Sequence, residues 1–527
     1  MKKIYIAMLL VLTGMMAVAQ TSVWNGNRAF WTKGTGTEND PYLLESAEHL
    51  AYFAYIVNKG YNTTDLYFRL TTDIDLNGSE DLPWIPIGLG NRWFSEDGCD
   101  RRTNSMGFYS DSHPYFLGHF DGGGHCIFNI YVDGEPYAGL FGMVQGTTDN
   151  PVVIENVFVI NGTVAGATSG GIVGKGINAQ ISHCWNGASI SGTFGGGIIG
   201  DGGNLDHCYN TGPVTGTTVG GIVGQNARGI EQCYNSGTVT GEGQSHVGGI
   251  LGRQVASGIT VNNCYNIGTV SAIGPMGSTS PAPAAGGLIG LIMRQFEIAN
   301  SYNVGEVSGS NHVGCLFGYG QSVVVENSYY LDACTESEMG TASTADFMRS
   351  QEFVDLLNAG NKETVWIIDS NNLNDGFPVL AGTISLVDVT SNPAESGEVT
   401  GAGAYMIGTF VTVTVTPTPD YLLNYWSKDG ERVSEELSYT FAVTHDCKLV
   451  ANLTPSDVEE LKASALMIRP NPTRGQFVVE GTGKMTIMNL LGQTVLTKDV
   501  EGQTTVNLSR GIYFVQLGNV TQKVIVE

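Results

Sequence analysis

Several groups of residues in this 527-residue chain have types and spacings that could do chemistry. Gly195-x-Gly197-x-x-Gly200 matches the glycine pattern that lets a backbone approach a dinucleotide pyrophosphate. That chemistry needs a helix to follow, and the residues after Asp201 begin none. Asp73-x-Asp75-x-Asn77-Gly78 starts like a calcium loop. Ile74 and Leu76 alternate with the acids, which reads as a strand with a polar face, and Trp84 stands where the loop needs a bidentate Glu. His119 and His125 flank Phe120-Asp121-Gly122-Gly123-Gly124; nothing supplies a third metal ligand, and a turn is the plainer reading. Lys175, Arg228 and Arg253 stand shortly after glycine-rich pentapeptides and form a candidate basic row, with Asp201 and Glu231 as its acids. Polysaccharide lyases and hydrolases need a carboxylate pair, or a carboxylate with Arg or Lys, on one face. Solvated turn residues are the alternative. HExxH, Gly-x-Ser-x-Gly and phosphate-loop patterns do not occur. No catalytic residue, metal ligand or cofactor is therefore expected.

The elements that hold these residues repeat. GLFG at 139–142 is followed by GGIVG at 170–174, GGIIG at 196–200, GGIVG at 220–224, GGILG at 248–252, GGLIG at 286–290 and GCLFG at 314–318. A second signature trails each unit: HCWN at 183–186, HCYN at 207–210, QCYN at 232–235, NCYN at 263–266 and NSYN at 300–303. The apolar runs are short, β-branched or aromatic, and fenced by Gly or Asn, which is strand-and-turn chemistry. Stacked identical units bury a face that one unit cannot. The expected fold class is all-β: a right-handed parallel β-helix solenoid with helical caps, followed by two small β-rich domains, a β-repeat module and an Ig-like β-sandwich. Coils stack about 4.8 Å apart. The Asn after each aromatic is expected at a left-handed corner with an amide ladder, and the double Gly at a tight corner or close backbone approach. Cys184, Cys208, Cys233 and Cys264 are expected at one inward position, which Ser301, Ser328 and Phe158 occupy in other coils. Parallel Cβ vectors suit a disulfide poorly, so these four are expected as buried thiols.

The ordered motifs carry a resemblance. The repeat resembles the GLUG motif of bacterial surface proteins. Preceding segments strengthen it: GTGTENDPY at 34–42, LTTDIDL at 70–76, WIPIG at 84–88 and FDGGGH at 120–125. The resemblance spans roughly 24–380 and implies surface location and adhesion. Similar repeats also stand beside the protease domain of some IgA-cleaving metallopeptidases, so the repeat fixes no activity. Residues 384–453 resemble an internalin B-type bacterial repeat, with Trp426 at its usual aromatic position. The last residues resemble the type IX secretion sorting domain through Pro470-Asn471-Pro472, Gly475, Gly511-x-Tyr513 and the closing Lys523. That resemblance implies recognition by the secretion machinery of the outer membrane, removal of the domain and, in many such cargoes, attachment to lipopolysaccharide.

Composition bounds the partners. A net charge of −25 excludes a nucleic-acid binder and disfavours an anionic lipid surface. Lys2-Lys3, an apolar stretch and Ala17-Val18-Ala19 read as a signal peptide cleaved between Ala19 and Gln20. No Cys follows that stretch, and no later run suits a transmembrane anchor. The expected divisions are a signal peptide at 1–19, an N-terminal cap and first coils at 20–136, the repeat solenoid at 137–330 and its C-terminal cap at 331–383. The repeat module at 384–453, a linker at 454–468 and the sorting domain at 469–527 complete them. Amphipathic helices are expected from Ser46 to about 58 and from Ser350 to the terminator Gly360. Two insertions break the rhythm: 92–115, and 274–285, which stretches one interval to 38 residues. Trp93, Phe94, Phe108 and Tyr109 in the first are the candidate ligand-binding residues, because binding sits on loops of rigid scaffolds. The chain reads as a secreted surface protein that binds a glycan or a partner protein. A carbohydrate-active enzyme and a purely structural surface component are the alternatives.

Overall fold

The computed structural model describes residues 21–90, 93–95, 98–100, 114–274, 282–335, 339–456, 466–518 and 520–527. The signal segment with Ala19 and Gln20 lies outside them. The chain is almost entirely β. It divides into two compact units. One ends at Asn392 and takes in Val399–Thr416 and Tyr425–Asn452 as well; the other holds Pro393–Glu398, Pro417–Asn424 and Leu453–Glu527.

In the first unit the repeat builds three large parallel sheets of 11, 15 and 9 strands. The chain visits them in rotation. Ser189–Gly196 lies in the nine-stranded sheet, Ile199–Asp206 in the fifteen-stranded sheet and Tyr209–Asn210 in the eleven-stranded sheet. Val214–Gly220, Val223–Gln225 with Gly229–Glu231, and Tyr234–Asn235 repeat the circuit, each strand bonding to its counterpart one turn before. This is the pattern of a β-helix-like solenoid, and its interior is one apolar core from Trp24 to Tyr330.

Each repeat letter has a place in that circuit. Cys184, Cys208, Cys233 and Cys264 point inward, fully buried, as free thiols with no disulfide among them. The equivalent residue one turn earlier is Val157, not Phe158; Phe158 pairs with Trp185 and so belongs with the aromatics. Those aromatics face outward and stack: Tyr209, Tyr234, Tyr265 and Tyr302 have ring centroids 4.7, 4.9 and 5.1 Å apart. The left-handed corner is the residue before each Cys, at His183, His207, Gln232 and Asn263, and before Ser301, at Asn300, and not the Asn after the aromatic. That Asn turns inward, where its amide satisfies two groups. Asn210 Nδ2 donates to Asn235 Oδ1 at 2.7 Å and to Gly212 O at 2.8 Å, and Asn186, Asn235 and Asn266 do the same on their own turns. The second Gly of each pentapeptide that begins with two glycines makes room for it. A Cβ on Gly221 would lie 2.3 Å from Asn235 Cγ and 2.1 Å from Gly249 O, so only Gly fits.

One disulfide was not anticipated: Cys315 in the degenerate GCLFG bonds to Cys334, Cα–Cα 5.9 Å. Cys315 lies outside the thiol ladder, and Cys334 follows the last repeat, so their Cβ vectors are free to converge. Helix α1 (Ala47–Asn58) starts at its N-cap Ser46, whose Oγ accepts from His49 N, and buries Leu50, Phe53 and Val57. Phe53 packs 4.3 Å from Phe68 and 5.8 Å from Phe120, both from early strands. A short helix α2 (Ala345–Met348) precedes α3 (Gln351–Asn358), whose N-cap is Ser350. Phe353 of α3 sets its ring edge on Tyr329, 4.9 Å away, and Trp366 lies 5.5 Å from Tyr302. These residues cover the outward tyrosine ladder from its flank.

After the solenoid, Val387–Asn392 runs parallel to Cys447–Asn452, and Phe410–Thr414 antiparallel to Ser438–Ala442. Val411, Val413 and Val415 are buried, while Thr412 faces outward and meets Thr440 at 2.7 Å. Trp426 is fully buried and its Nε1 donates to Glu436 O at 3.1 Å. In the second unit a five-stranded sheet runs from Met467–Arg469 to Val520–Val526, with antiparallel neighbours throughout.

Candidate functional site

Trp93 and Phe94 stand in a two-stranded ribbon opposite Asp100 and Cys99. Their side chains, and all of Phe108 and Tyr109, lie outside the described residues, as does most of the second insertion.

At the same N-terminal end, the described residues form a cleft of about 340 Å³. Its walls are Ala51, Ala54 and Tyr55 of α1 and the facing residues Trp24, Leu82 and Trp84. The two indoles meet edge to face at 5.5 Å, and each spends its N–H on a backbone carbonyl: Trp24 on Asn27 and Trp84 on Leu140. Asn58 closes the bottom, its amide bonded to Pro86 O and Gly88 N. Arg28 lies over the Tyr55 ring at 4.3 Å, with Lys59 on the same ring at 5.6 Å. The result is an apolar aromatic slot with a cationic rim, suited to the flat face of a ligand with its polar edge outward. Trp84 is legible in sequence only as the first residue of WIPIG and Trp24 only as the start of the resembling stretch; nothing in their spacing marks them as one slot.

The candidate basic row is partly real. Lys175, Asp201, Gln225 and Arg253 occupy one register across successive turns. Lys175 Nζ lies 3.2 Å from Asp201 Oδ2, Asn226 Nδ2 donates to Asp201 Oδ1 at 3.0 Å, and Arg253 donates to Gln225. Arg228 is off this row; its backbone N–H bonds to Gly203 O. Glu231 is also elsewhere, accepting from Asn262 at 3.0 Å and Asn263 at 2.8 Å, with burial raising its carboxyl above the usual range. Burial lowers Arg253, an effect that Asp201 opposes. The row therefore binds itself along the solenoid, and it brings no second carboxylate to Asp201.

The metal-like motifs resolve into corners. Asp75 Oδ1 accepts from Asn77 N and Asn129 Nδ2, and Asp73 Oδ1 accepts from Cys126 N and faces His125 Nδ1 at 3.2 Å. His119 instead stacks on Tyr67 at 4.2 Å. Among the described residues no three His, Cys, Asp or Glu side chains gather as metal ligands would. Gly195 and Gly197 lie at the corner between Ser189–Gly196 and Ile199–Asp206, so a strand follows where a dinucleotide site needs a helix. Among those residues no helix is long and apolar enough to cross a membrane.

The sorting-motif residues do come together. Asn471 Nδ2 donates to Lys523 O at 2.6 Å, and Ile525 N donates back to Asn471 Oδ1 at 3.0 Å. Gly475 sits at φ 115°, a conformation that favours glycine. Tyr513 donates its hydroxyl to Ser509 O at 3.0 Å and lies over Gly511, where a Cβ would meet its ring at 3.2 Å. Pro470 and Pro472 flank Asn471 in the same segment.

Comparison with known proteins gives each segment a relative. Residues 215–240 match the GLUG motif, 387–457 a divergent InlB B-repeat domain and 467–527 a secretion system C-terminal sorting domain. Halomucin of Haloquadratum walsbyi is 30% identical over 185 residues, 34% of this chain and 2% of its own. A provisionally named Gly-rich membrane protein of Evansella cellulosilytica is 29% identical over 170 residues, 30% of this chain and 16% of its own. The chain thus spans only a small part of these curated relatives. Among solved structures, a provisionally assigned immunoglobulin A1 protease from Bacteroides ovatus aligns with TM-score 0.42 and 24% identity over 70% of this chain and 99% of its own. The chain thus carries a GLUG motif, an InlB-type repeat and a sorting domain in that order, and the sorting domain supports export through the periplasm and outer membrane to the cell surface.

Proposed function

We propose that this protein binds a glycan or a partner protein outside the cell, and that it is a binding protein and not an enzyme. The observation that carries the reading is the combination of a sorting domain at 467–527 with a stacked-strand scaffold whose N-terminal end bears an aromatic slot. Stacked parallel strands bonded on both sides hold such a surface rigidly, which lowers the entropy lost on binding. The three sheets are read as the faces of a right-handed parallel β-helix, with α1 covering its first turns and α3 its last. Residues 384–453 are read as the internalin B-type module. Residues 469–527 are read as an Ig-like sandwich, and the Tyr513–Ser509 bond supports this by its likeness to a tyrosine corner. The self-paired Asp201 favours binding over turnover, since a catalytic carboxylate needs a free partner.

The test is an array of glycans and matrix proteins probed with the purified full chain, run beside assays for new reducing ends and unsaturated products. Saturable binding without turnover is expected, and Trp93→Ala with Tyr109→Ala should remove it without changing the far-UV circular dichroism. Product formation would establish the enzymatic alternative instead.

A further inference from the structure

The residues that mark the sorting domain in sequence are spent on folding it. Asn471 bonds to the backbone of Lys523 and Ile525, Tyr513 gives its hydroxyl to Ser509 O, and Gly475 supplies a positive φ. A receptor that reads the folded domain needs something the fold presents outward. Within 467–527 the exposed large hydrophobics among the described residues are Met467, Leu490, Leu491 and Val495. Three of these four stand at the end of the long hairpin formed by Gln476–Asn489 and Thr494–Asn507. Leu490 is 64% and Leu491 83% exposed. The turn that carries them is held tightly. Asn489 Oδ1 accepts from Leu491 N and Gln493 N, both at 3.0 Å, Asn489 N donates to Gln493 O at 3.0 Å, and Gly492 takes φ 76°. Val495 is the extra residue of a β-bulge: Ile487 pairs with Leu496 and Met488 with Thr494, which leaves Val495 without a cross-strand partner and exposed. Bulges of this kind re-aim a side chain. No charged residue occurs from Met485 to Thr497. Turns are ordinarily polar, and strand edges are ordinarily guarded by charge. Here a rigid turn and a bulge present three bare apolar side chains that have no work to do inside the domain.

We propose that Leu490, Leu491 and Val495 are the contact by which the domain docks on a protein of the secretion machinery, in an apolar cleft with acidic surroundings, an inference that rests on the export reading of 467–527. Charge supports this occupant. Residues 467–527 hold six Lys and Arg against four Asp and Glu, a net charge of +2 in a chain of −25. An acidic receptor therefore attracts this domain while it repels the rest of the chain, which orients the encounter. Because the turn is already formed, little ordering entropy is lost when the leucines enter a cleft.

In cells with an intact type IX system, surface display of the full chain is compared with that of Leu490→Ser/Leu491→Ser, Leu490→Met/Leu491→Met and Met467→Ser, by protease accessibility and periplasmic fractionation. The double serine variant should lose display at least about tenfold and accumulate in the periplasm, as loss of a central docking contact would cause. Its melting temperature as a purified chain should match the parent's, because both leucines face solvent in the free domain. The double methionine variant keeps an apolar tip and should be displayed. Met467→Ser should be displayed too, since Met467 pairs with Glu480, far along the strand from the turn. Full display of the double serine variant, beside periplasmic retention of a chain lacking 469–527, overturns this site while the export reading stands. Display of both overturns the export reading and the site with it. A lowered melting temperature of the double serine variant, or an equal loss of display in Met467→Ser, overturns the site as well. Binding of the purified chain to phospholipid and lipopolysaccharide vesicles through the same leucines, or dimerisation through them, makes the occupant a lipid or a second copy and overturns the protein receptor.

Discussion

At the scale of single residues, the inward Cys ladder is a hydrogen-bonding device as well as a packing one. Cys208 N donates to Cys233 Sγ and Cys233 N to Cys264 Sγ, both at 3.4 Å. Where the ladder changes type the geometry persists: Cys264 N donates to Ser301 Oγ at 3.0 Å, and Ser301 Oγ donates to Ala299 O. A hydroxyl at this position is thus satisfied on both sides. Cys233→Ser should change unfolding free energy by less than about 1 kcal/mol, whereas Cys233→Val, though apolar, strands the Cys208 N–H and should cost about 1–3 kcal/mol. Chemical denaturation of the two variants decides this; equal losses would contradict it. Burial pushes the Cys184 and Cys233 thiols up, so both should resist alkylation until the protein unfolds. His246 offers a pH test. Burial, aided by nearby Arg253, lowers it to about 4. The unfolded chain then takes up the proton first as pH falls below about 6.5, so stability is lost from there down to the folded value. Between pH 6.5 and 4.5 the parent should lose about 2 kcal/mol more than His246→Gln, measured by denaturation at each pH. Parallel losses would show that His246 does not titrate with folding.

At the scale of elements, successive turns of the eleven-stranded sheet are tied together by an amide ladder that has no slack. Both hydrogens of Asn235 Nδ2 are used, on Gly237 O and Asn266 Oδ1, and its own Oδ1 receives Asn210. Asn235→Ala therefore strands a buried donor and a buried carbonyl at once and should cost at least about 2 kcal/mol by thermal or chemical denaturation. A change below half that would mean the ladder relaxes around the gap. Much of this level was legible in the chain. The HCYN and GGIVG letters mark their strands because short β-branched runs fenced by Gly and Asn have few other uses, and Ser46 and Ser350 announce their helices as N-caps. What was not legible needed register. Whether Phe158 equates with Cys184 or Trp185 depends on a one-residue slip, and that slip reverses inside and outside. The corner assignment failed for the same reason, since either neighbour of the Cys–aromatic pair could turn. The Cys315–Cys334 bond joins one repeat residue to one beyond the repeat, and periodicity says nothing about such a pair.

At the scale of the whole molecule, the chain joins a repetitive scaffold to an export address. Only 14% of its residues are charged, and they give a net charge of −25, which keeps a long repetitive surface soluble and self-repelling. The address is local: Asn471 bonds to Lys523, and Tyr513 to Ser509, within residues 467–527. The most direct measurement is surface display of the full chain against a chain lacking 469–527, in cells with an intact type IX system, read by protease accessibility and by fractionation of the periplasm. The full chain should be digested on intact cells, and the shortened chain should accumulate, protected, in the periplasm. Undiminished surface digestion of the shortened chain would contradict the account.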